Sequence, residues 1–230
     1  MFALSLVMDF SIAGEGVTDQ VTIQNVLCGF FDTIEDLEQE VIFVQPHQDA
    51  TDEEDVRGYG SWTSLFSYLK DKRFRDDVVN TSFLIIQVDS DVCEEIGFDV
   101  KRSASSNSEE LVSAIVTRLI CQINSGSDGF YDKYKENIIF AVCVDSIECW
   151  LYKYYENDKQ KVKNDKTLNC AASLETVIFR FHKKLSTKKC AKEYDKLSKP
   201  FRKRKTLQMI SDVDSSLKIF LNNLETISYP

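Results

Sequence analysis

The sequence predicts an α/β fold in which a mostly parallel sheet is flanked by helices and followed by an α-helical C-terminal extension. Three features predict it: four short, almost wholly apolar segments, helical segments that alternate with them, and Lys-rich helical segments instead of further strands beyond residue 156. Strands that are apolar on both faces are typical of parallel sheets covered by helices. The four apolar segments are 3–13, 40–45, 82–88 and 138–144.

The segments between the first three strands are predicted to be helical. The first strand ends at a Gly-Glu-Gly turn, and apolar residues then recur at helical spacing from Thr18, a suitable N-cap. The second strand stops at Pro46, and an acidic loop follows it. Apolar side chains on one face then predict a single helix over 61–73.

The later elements continue this alternation. Ser106 and Glu109 have the spacing of a capping box and predict the start of a helix after the third strand. A further helix is predicted at 146–155, directly after the fourth strand. The chain therefore divides into a domain at 1–155 and a basic helical extension at 156–230, packed on that domain.

Charge is distributed unevenly along the chain. Residues 1–100 hold 21 acidic and 5 basic residues, whereas residues 151–230 hold 9 acidic and 18 basic residues, within a net charge of −9. This balance argues against a general nucleic-acid binder but allows a basic face on the C-terminal third. The apolar content of 43% excludes a disordered chain. No apolar run reaches the ~20 residues of a membrane span, so we expect a cytoplasmic protein without a membrane partner.

The seven cysteines are scattered, odd in number and without a C-x-x-C pair. The two histidines, His47 and His182, stand apart from them and from each other. We therefore expect free, mostly buried cysteines in a reducing compartment, and neither a disulfide framework nor a zinc site.

Acidic residues follow three of the four predicted strands. Glu15 follows the first strand, Asp89 and Asp91 follow the third, and Asp145 and Glu148 follow the fourth. Ligands of such sheets bind beyond the carboxyl ends of the strands, where these side chains can converge. Crowded carboxylates repel one another unless a cation offsets their charge, and ligation by oxygen alone suits Mg²⁺ or Mn²⁺. Asp145 is interpreted as a helix cap.

Several short motifs resemble those of the Toprim fold of primases, topoisomerases and nucleases. The motif G-E-G-V-T-D at 14–19 opens a helix, and D-S-D at 89–91 ends a later strand. Further segments are similar to the small stand-alone Toprim proteins of bacterial anti-phage loci, which are related to the overcoming-lysogenisation-defect nucleases. These are R-G-Y-G-S-W at 57–62, I-E-C-W-L at 147–151 and S-L-K-I-F-L at 216–221.

The resemblance implies a Toprim-like, Mg²⁺- or Mn²⁺-dependent nuclease that serves as an effector of a phage-defence or toxin-like system. Glu15, Asp89 and Asp91 would be its catalytic residues and metal ligands, with Glu148 as a further ligand. Nucleic acid, DNA or RNA, would be the substrate, and a regulatory partner such as an ATPase would control it; a homo-oligomer stays open. Predicted phosphate contacts are Arg57, Lys199, Arg202, Lys203, Arg204 and Lys205.

Two other function classes remain open from the residues alone. The first is a non-catalytic interaction module that uses the same scaffold to bind a regulatory partner or a nucleotide. The second is a flavodoxin- or receiver-like domain, whose acidic residues also lie at strand ends. A receiver needs a lysine after a late strand, and no lysine follows the strand at 138–144.

Overall fold

The fold is built on a four-stranded sheet whose strands all run parallel. The structure, a computed structural model, describes residues 9–47, 61–102, 107–156 and 168–227. The strand order is β2-β1-β3-β4. The strands are β1 (Phe10–Ala13), β2 (Val41–Gln45), β3 (Phe83–Asp89) and β4 (Ile138–Cys143). The predicted α/β class, with a parallel sheet flanked by helices, is therefore confirmed.

Helices connect and cover the strands. Ten α-helices lie in the described residues: α1 (Val17–Phe30), α2 (Trp62–Lys70), α3 (Lys72–Asn80), α4 (Ser108–Gly126), α5 (Phe130–Tyr134), α6 (Glu148–Tyr155), α7 (Cys170–Phe181), α8 (Ala191–Ser198), α9 (Arg204–Ser211) and α10 (Ser215–Glu225). Short 3-10 turns lie at Leu37–Glu40, Lys135–Asn137 and Lys199–Arg202. Among the described residues, no helix has both the length and the apolarity that a membrane span requires.

The sheet separates two hydrophobic clusters. In β3, Leu84, Ile86 and Val88 belong to the cluster that contains side chains of α2 to α5. Ile85 belongs to the opposite cluster, which contains side chains of α1 and of α6 to α10. Because side chains alternate along a strand, Asp89 continues the row of Ile85 and faces the layer that contains α1.

The C-terminal helices form a large part of this second layer. Helix α8 and the 3-10 turn that follows it pack against α1, and α10 packs against β4. The 3-10 turn lies so close to α1 that a Cβ added at Gly29 of α1 would overlap the carbonyl oxygen of Phe201 in the turn. Lys153 of α6 forms a buried ion pair of 2.6 Å with Asp214, the N-cap of α10. The basic C-terminal third therefore shares its core with β1 and α1.

Three predicted helix boundaries differ from the structure. The segment 61–73 contains the end of α2 and the start of α3, because Asp71 is extended and its side chain accepts from Arg73 N at 2.8 Å as an N-cap. Asn107 caps α4 by accepting from Glu110 N, whereas Ser106 lies outside the described residues. Helix α1 begins at Val17, one residue before the predicted cap.

The prediction that the cysteines are free is wrong for one pair. Cys149 and Cys170 form a disulfide, although they are 21 positions apart in the sequence. They lie in the first turns of α6 and α7, which pack against each other. The packing of these helices, which no local sequence pattern encodes, brings the two sulfur atoms together. The other five cysteines are free.

Candidate metal centre

Five acidic residues lie at the carboxyl edge of the parallel sheet and interact electrostatically. All five belong to the described part of the chain, but no three of them bring carboxylate oxygens within 4.8 Å of one another. Glu15 lies in the turn between β1 and α1, and Asp19 lies in the first turn of α1. Asp89 is the last residue of β3 and Asp91 follows it, while Glu148 is the first residue of α6. The five acidic residues therefore come from the carboxyl ends of three adjacent strands, β1, β3 and β4, or from the segments that follow them. The sequence predicted this position for Glu15, Asp89, Asp91 and Glu148.

Hydrogen bonds hold Glu15 and Asp89 next to each other. Oε1 of Glu15 accepts from the backbone N–H of Asp89 at 2.8 Å. Oδ1 of Asp89 accepts from Nε2 of Gln87 at 2.8 Å and from the backbone N–H of Ile147 at 3.1 Å. Oε1 of the buried Gln87 in turn accepts from Glu15 N at 3.3 Å. Gln87 therefore connects the β1–α1 turn to the end of β3 and orients both carboxylates.

The turn that carries Asp91 is fixed to the neighbouring turn after β4. The backbone N–H groups of Ser90 and Asp91 both donate to the carbonyl oxygen of Asp145 at 3.0 Å. The hydroxyl of Ser90 accepts from Asp145 N at 2.8 Å and from the Arg102 guanidinium at 3.0 Å. The carboxylate of Asp91 remains exposed to solvent. Asp91 thus lies on the open side of the cluster.

Asp19 is a site residue that the sequence analysis did not select. Its carboxylate accepts from Gly16 N at 2.9 Å, which stabilises the start of α1, and only 6% of the residue is exposed. It interacts electrostatically with Glu15, Asp89 and Glu148. The signal was present in the sequence, because Asp19 is the last residue of the same G-E-G-V-T-D motif that contains Glu15.

Burial and mutual repulsion raise the pKa values of four of these carboxyl groups. Burial raises the pKa of Glu15 to about 8, a backbone bond from Asp89 opposes this, and the charges of Asp19 and Asp91 add to it. Burial, followed by the charge of Glu148, raises the pKa of Asp19 to about 7. Burial and the neighbouring acids also raise the pKa of Asp89 well above its usual value. Asp91 is exposed at the surface, and the partial burial of its carboxyl group, followed by the charge of Asp145, raises its pKa.

Glu148 is the exception, because a cation and a phenol satisfy its charge. Its Oε1 accepts from the ammonium of Lys189 and from the hydroxyl of Tyr194, the latter at 2.6 Å. Burial alone would raise the pKa of Glu148, but these contacts outweigh it and lower that pKa. Lys189 also interacts with Asp19 and Asp89 while 59% of its side chain remains exposed. A lysine from the C-terminal third therefore lies at the mouth of the acidic cluster.

The donor chemistry of this cluster fits a hard divalent cation. The five side chains offer carboxylate oxygens only, as Mg²⁺ and Mn²⁺ prefer. The raised pKa values of Glu15, Asp19, Asp89 and Asp91 arise from burial first and from mutual repulsion second, and the charge of a bound cation would oppose both effects. Asp19, Asp89, Asp91 and Glu148 are the residues that would hold it, and Glu15 lies beside them as a further ligand or as a base.

The described arginines predicted to contact phosphate, Arg202 and Arg204, are not part of the carboxylate cluster. Arg57 lies outside the described residues. Arg202 contacts Asn25 and Glu38, and Arg204 donates to the carbonyl oxygen of Phe30 at 2.7 Å. Both arginines thus help to attach the C-terminal helices to α1.

The lysines of the same run, Lys199, Lys203 and Lys205, are exposed. This basic run packs at the C-terminal end of α1, which at 1.5 Å per residue lies about 20 Å from Glu15. Phosphate binding by these lysines stays a prediction, and it concerns a surface that lies away from the carboxylate cluster.

The fold and the site define the class as an α/β protein with a carboxylate cluster at the carboxyl edge of a four-stranded parallel sheet. Searches against protein-family models, curated proteins and solved structures found no match for this chain.

Proposed function

We propose that this protein is a Toprim-like, Mg²⁺- or Mn²⁺-dependent nuclease that hydrolyses phosphodiester bonds of nucleic acid. The observation that supports it is the cluster of five carboxylates at one sheet edge, four of them with raised pKa values. Asp19 and Glu148 are buried, Glu15 and Asp89 are partly buried, and Asp91 is exposed. Because, among the described residues, only Glu148 of this group forms an ion pair with a lysine, the uncompensated charge of the others favours a cation-binding role.

The residues divide into ligands and a base. Asp19, Asp89, Asp91 and Glu148 would hold the ion, which when bound supplies Lewis-acid polarisation of a phosphodiester oxygen. Glu15 would act as the general base that accepts a proton from the attacking water, because its carboxylate lies beside Asp89 at the same sheet edge. Its hydrogen bond from Asp89 N orients the carboxylate for that role.

Two cations next to the cluster suit a phosphate substrate. Lys189 combines its contact with Glu148 with substantial exposure, so its ammonium can also meet a phosphate oxygen. The Arg102 guanidinium lies close enough to Asp91 to lower that residue's pKa, against the stronger effects of burial and of Asp145. Together they would draw a polyanion towards a cluster that otherwise repels it.

The biological setting is part of the same proposal. The motif resemblance favours a cytoplasmic effector of a phage-defence or toxin-like system, held inactive by a regulatory partner such as an ATPase. A homo-oligomer is compatible with this proposal.

The experiment that tests the activity uses plasmid DNA, single-stranded DNA and RNA with Mg²⁺ or Mn²⁺. Glu15→Gln keeps the size of the side chain and should reduce cleavage by at least about 10²-fold. Its melting temperature should not fall. The matched control is Asp32→Asn, which neutralises an exposed acid just beyond α1 and should cleave as the wild type does. Equal cleavage by Glu15→Gln would contradict the assigned role.

Lys189 also supports a second candidate, a non-catalytic module that binds a regulatory partner or nucleotide. Its ammonium partly neutralises the acids without any ion, as a purely structural cluster would require. Thermal melting of Lys189→Met tests whether the cluster holds a cation, which the nuclease requires and a purely structural cluster does not. If the cluster holds a cation, Mg²⁺ should restore the stability that this variant loses. If the acids serve only to bind Lys189, Mg²⁺ should not restore it.

A further inference from the structure

A second group of side chains beside the acidic cluster has a different ligand chemistry. The carboxylate of Asp145 and the sulfur atoms of Cys149 and Cys170 all lie within 4.8 Å of one another. The two cysteines are fully buried, and Asp145 is 8% exposed. In the structure the two sulfurs form a disulfide. Elsewhere among the described residues, no other group of three His, Cys, Asp or Glu side chains converges so closely.

We propose that reduction of this disulfide creates a zinc-class metal site formed by Asp145, Cys149 and Cys170. A dithiol reductant supplies two electrons and two protons. The bond between the two sulfur atoms breaks, two cysteine thiols form, and the reductant becomes a cyclic disulfide. Binding of Zn²⁺ then releases two thiol protons to solvent as both sulfurs become thiolate ligands.

The geometry of the three ligand atoms suits this ion. Sγ of Cys149 lies 3.7 Å from Oδ2 of Asp145. Bond lengths of zinc to sulfur and to oxygen place such a pair about 3.6 Å apart in a tetrahedral site. Two thiolates on the same ion are about 3.8 Å apart, so the sulfurs must separate once the disulfide opens. Three protein ligands leave the fourth position for water.

The surroundings hold the carboxylate in place for this role. The backbone N–H of Cys170 lies 3.4 Å from Oδ2 of Asp145 and donates to it. Asp145 itself has a positive φ of 65°, which Asn also adopts readily. Because the carboxylate, the turn and the start of α7 are tied together, reduction can free the sulfurs without displacing the oxygen ligand.

Ligand type separates this site from the carboxylate cluster. Thiolates select zinc-class ions over Mg²⁺, whereas the five carboxylates favour hard cations. Two buried thiolates beside a carboxylate would carry an uncompensated charge, and a divalent ion removes most of that cost. The carbonyl oxygen of Asp145 also accepts from Ser90 N and Asp91 N. An ion held by the Asp145 carboxylate would therefore be connected, through this residue, to the turn that carries Asp91.

The test uses Co²⁺ as the probe, because thiolate ligation of Co²⁺ gives intense charge-transfer absorption. Denatured protein should show five reactive thiols before reduction and seven after it. Reduced native protein, freed of reductant without oxygen, should bind one Co²⁺ with sulfur charge-transfer bands, and Zn²⁺ should displace it. The oxidised protein should show no such bands.

Single substitutions assign the ligands. Cys149→Ser and Cys170→Ser should each weaken the bands strongly, while Cys93→Ser and Cys121→Ser, which alter a buried and an exposed free cysteine, should leave them unchanged. Asp145→Asn should keep the thiolate bands but weaken Co²⁺ binding by about tenfold or more. Reduced protein without Co²⁺ bands, bands that survive both ligand substitutions, or seven thiols before reduction would each overturn the proposal.

Discussion

Neutralising Asp19 should make the metal-free protein more stable and weaken its response to Mg²⁺. Asp19 is buried among like charges, yet its carboxylate also accepts from Gly16 N. Asp19→Asn keeps an oxygen that can accept this bond and removes the charge. The substitution therefore isolates the electrostatic cost of the cluster from the capping of α1.

The magnitude follows from the pKa of Asp19. Its rise from 3.8 to about 7 is about three pH units, and each corresponds to about 1.4 kcal/mol. The upper limit is about 4 kcal/mol, and because neighbouring carboxyls share the repulsion we expect about 2 to 4 kcal/mol. Between the two pKa values the folded wild type binds more protons than the unfolded chain, so its stability relative to the variant falls as the pH rises from about 4 to about 7.

Urea unfolding in a chelator measures this difference. At about pH 4 the two proteins should differ by less than about 1 kcal/mol, and at about pH 8 the variant should be more stable by the amount above. Mg²⁺ at a hundred times its dissociation constant should stabilise the wild type by about 2.7 kcal/mol and the variant by less. A variant that is less stable at pH 8, or an equal response to Mg²⁺, would refute the electrostatic argument; Asp32→Asn is the control.

Three further predictions concern the cation, the basic run and the core. In Asp89→Asn, Mg²⁺ or Mn²⁺ should bind clearly more weakly than in the wild type by calorimetric titration, and equal binding would remove Asp89 from the site. Neutralising the exposed Lys199, Lys203 and Lys205 should weaken nucleic-acid binding without sequence preference and flatten its salt dependence by about one unit of slope per lost contact; an unchanged slope would contradict phosphate contact. Lys153→Met should lower the free energy of unfolding by about 3 to 5 kcal/mol, because it leaves the buried Asp214 carboxylate unpaired. A loss below about 1 kcal/mol would show that Asp214 has another means of compensation.

Local patterns in the sequence predicted the sheet and part of the site. Of the predicted strand at 3–13, residues 10–13 form β1, and residues 3–8 lie outside the described residues. The apolar runs at 40–45, 82–88 and 138–144 each correspond to a strand of the parallel sheet, because an apolar strand can bury both faces only between two helical layers. Once that arrangement is predicted, Glu15, Asp89 and Asp91 must lie at one edge, since strand ends of a parallel sheet share an edge. The Toprim resemblance of these residues remains a prediction.

Only the tertiary structure brought Lys189 to Glu148 and Cys149 to Cys170. Lys189 comes from a segment without apolar periodicity, and its sequence neighbours give no sign of a buried acid 41 residues earlier. The disulfide likewise depends on how α6 packs against α7 and not on a local motif. Burial periodicity is a local property of the chain, whereas the partner of a charge or a thiol depends on which helices the core places side by side.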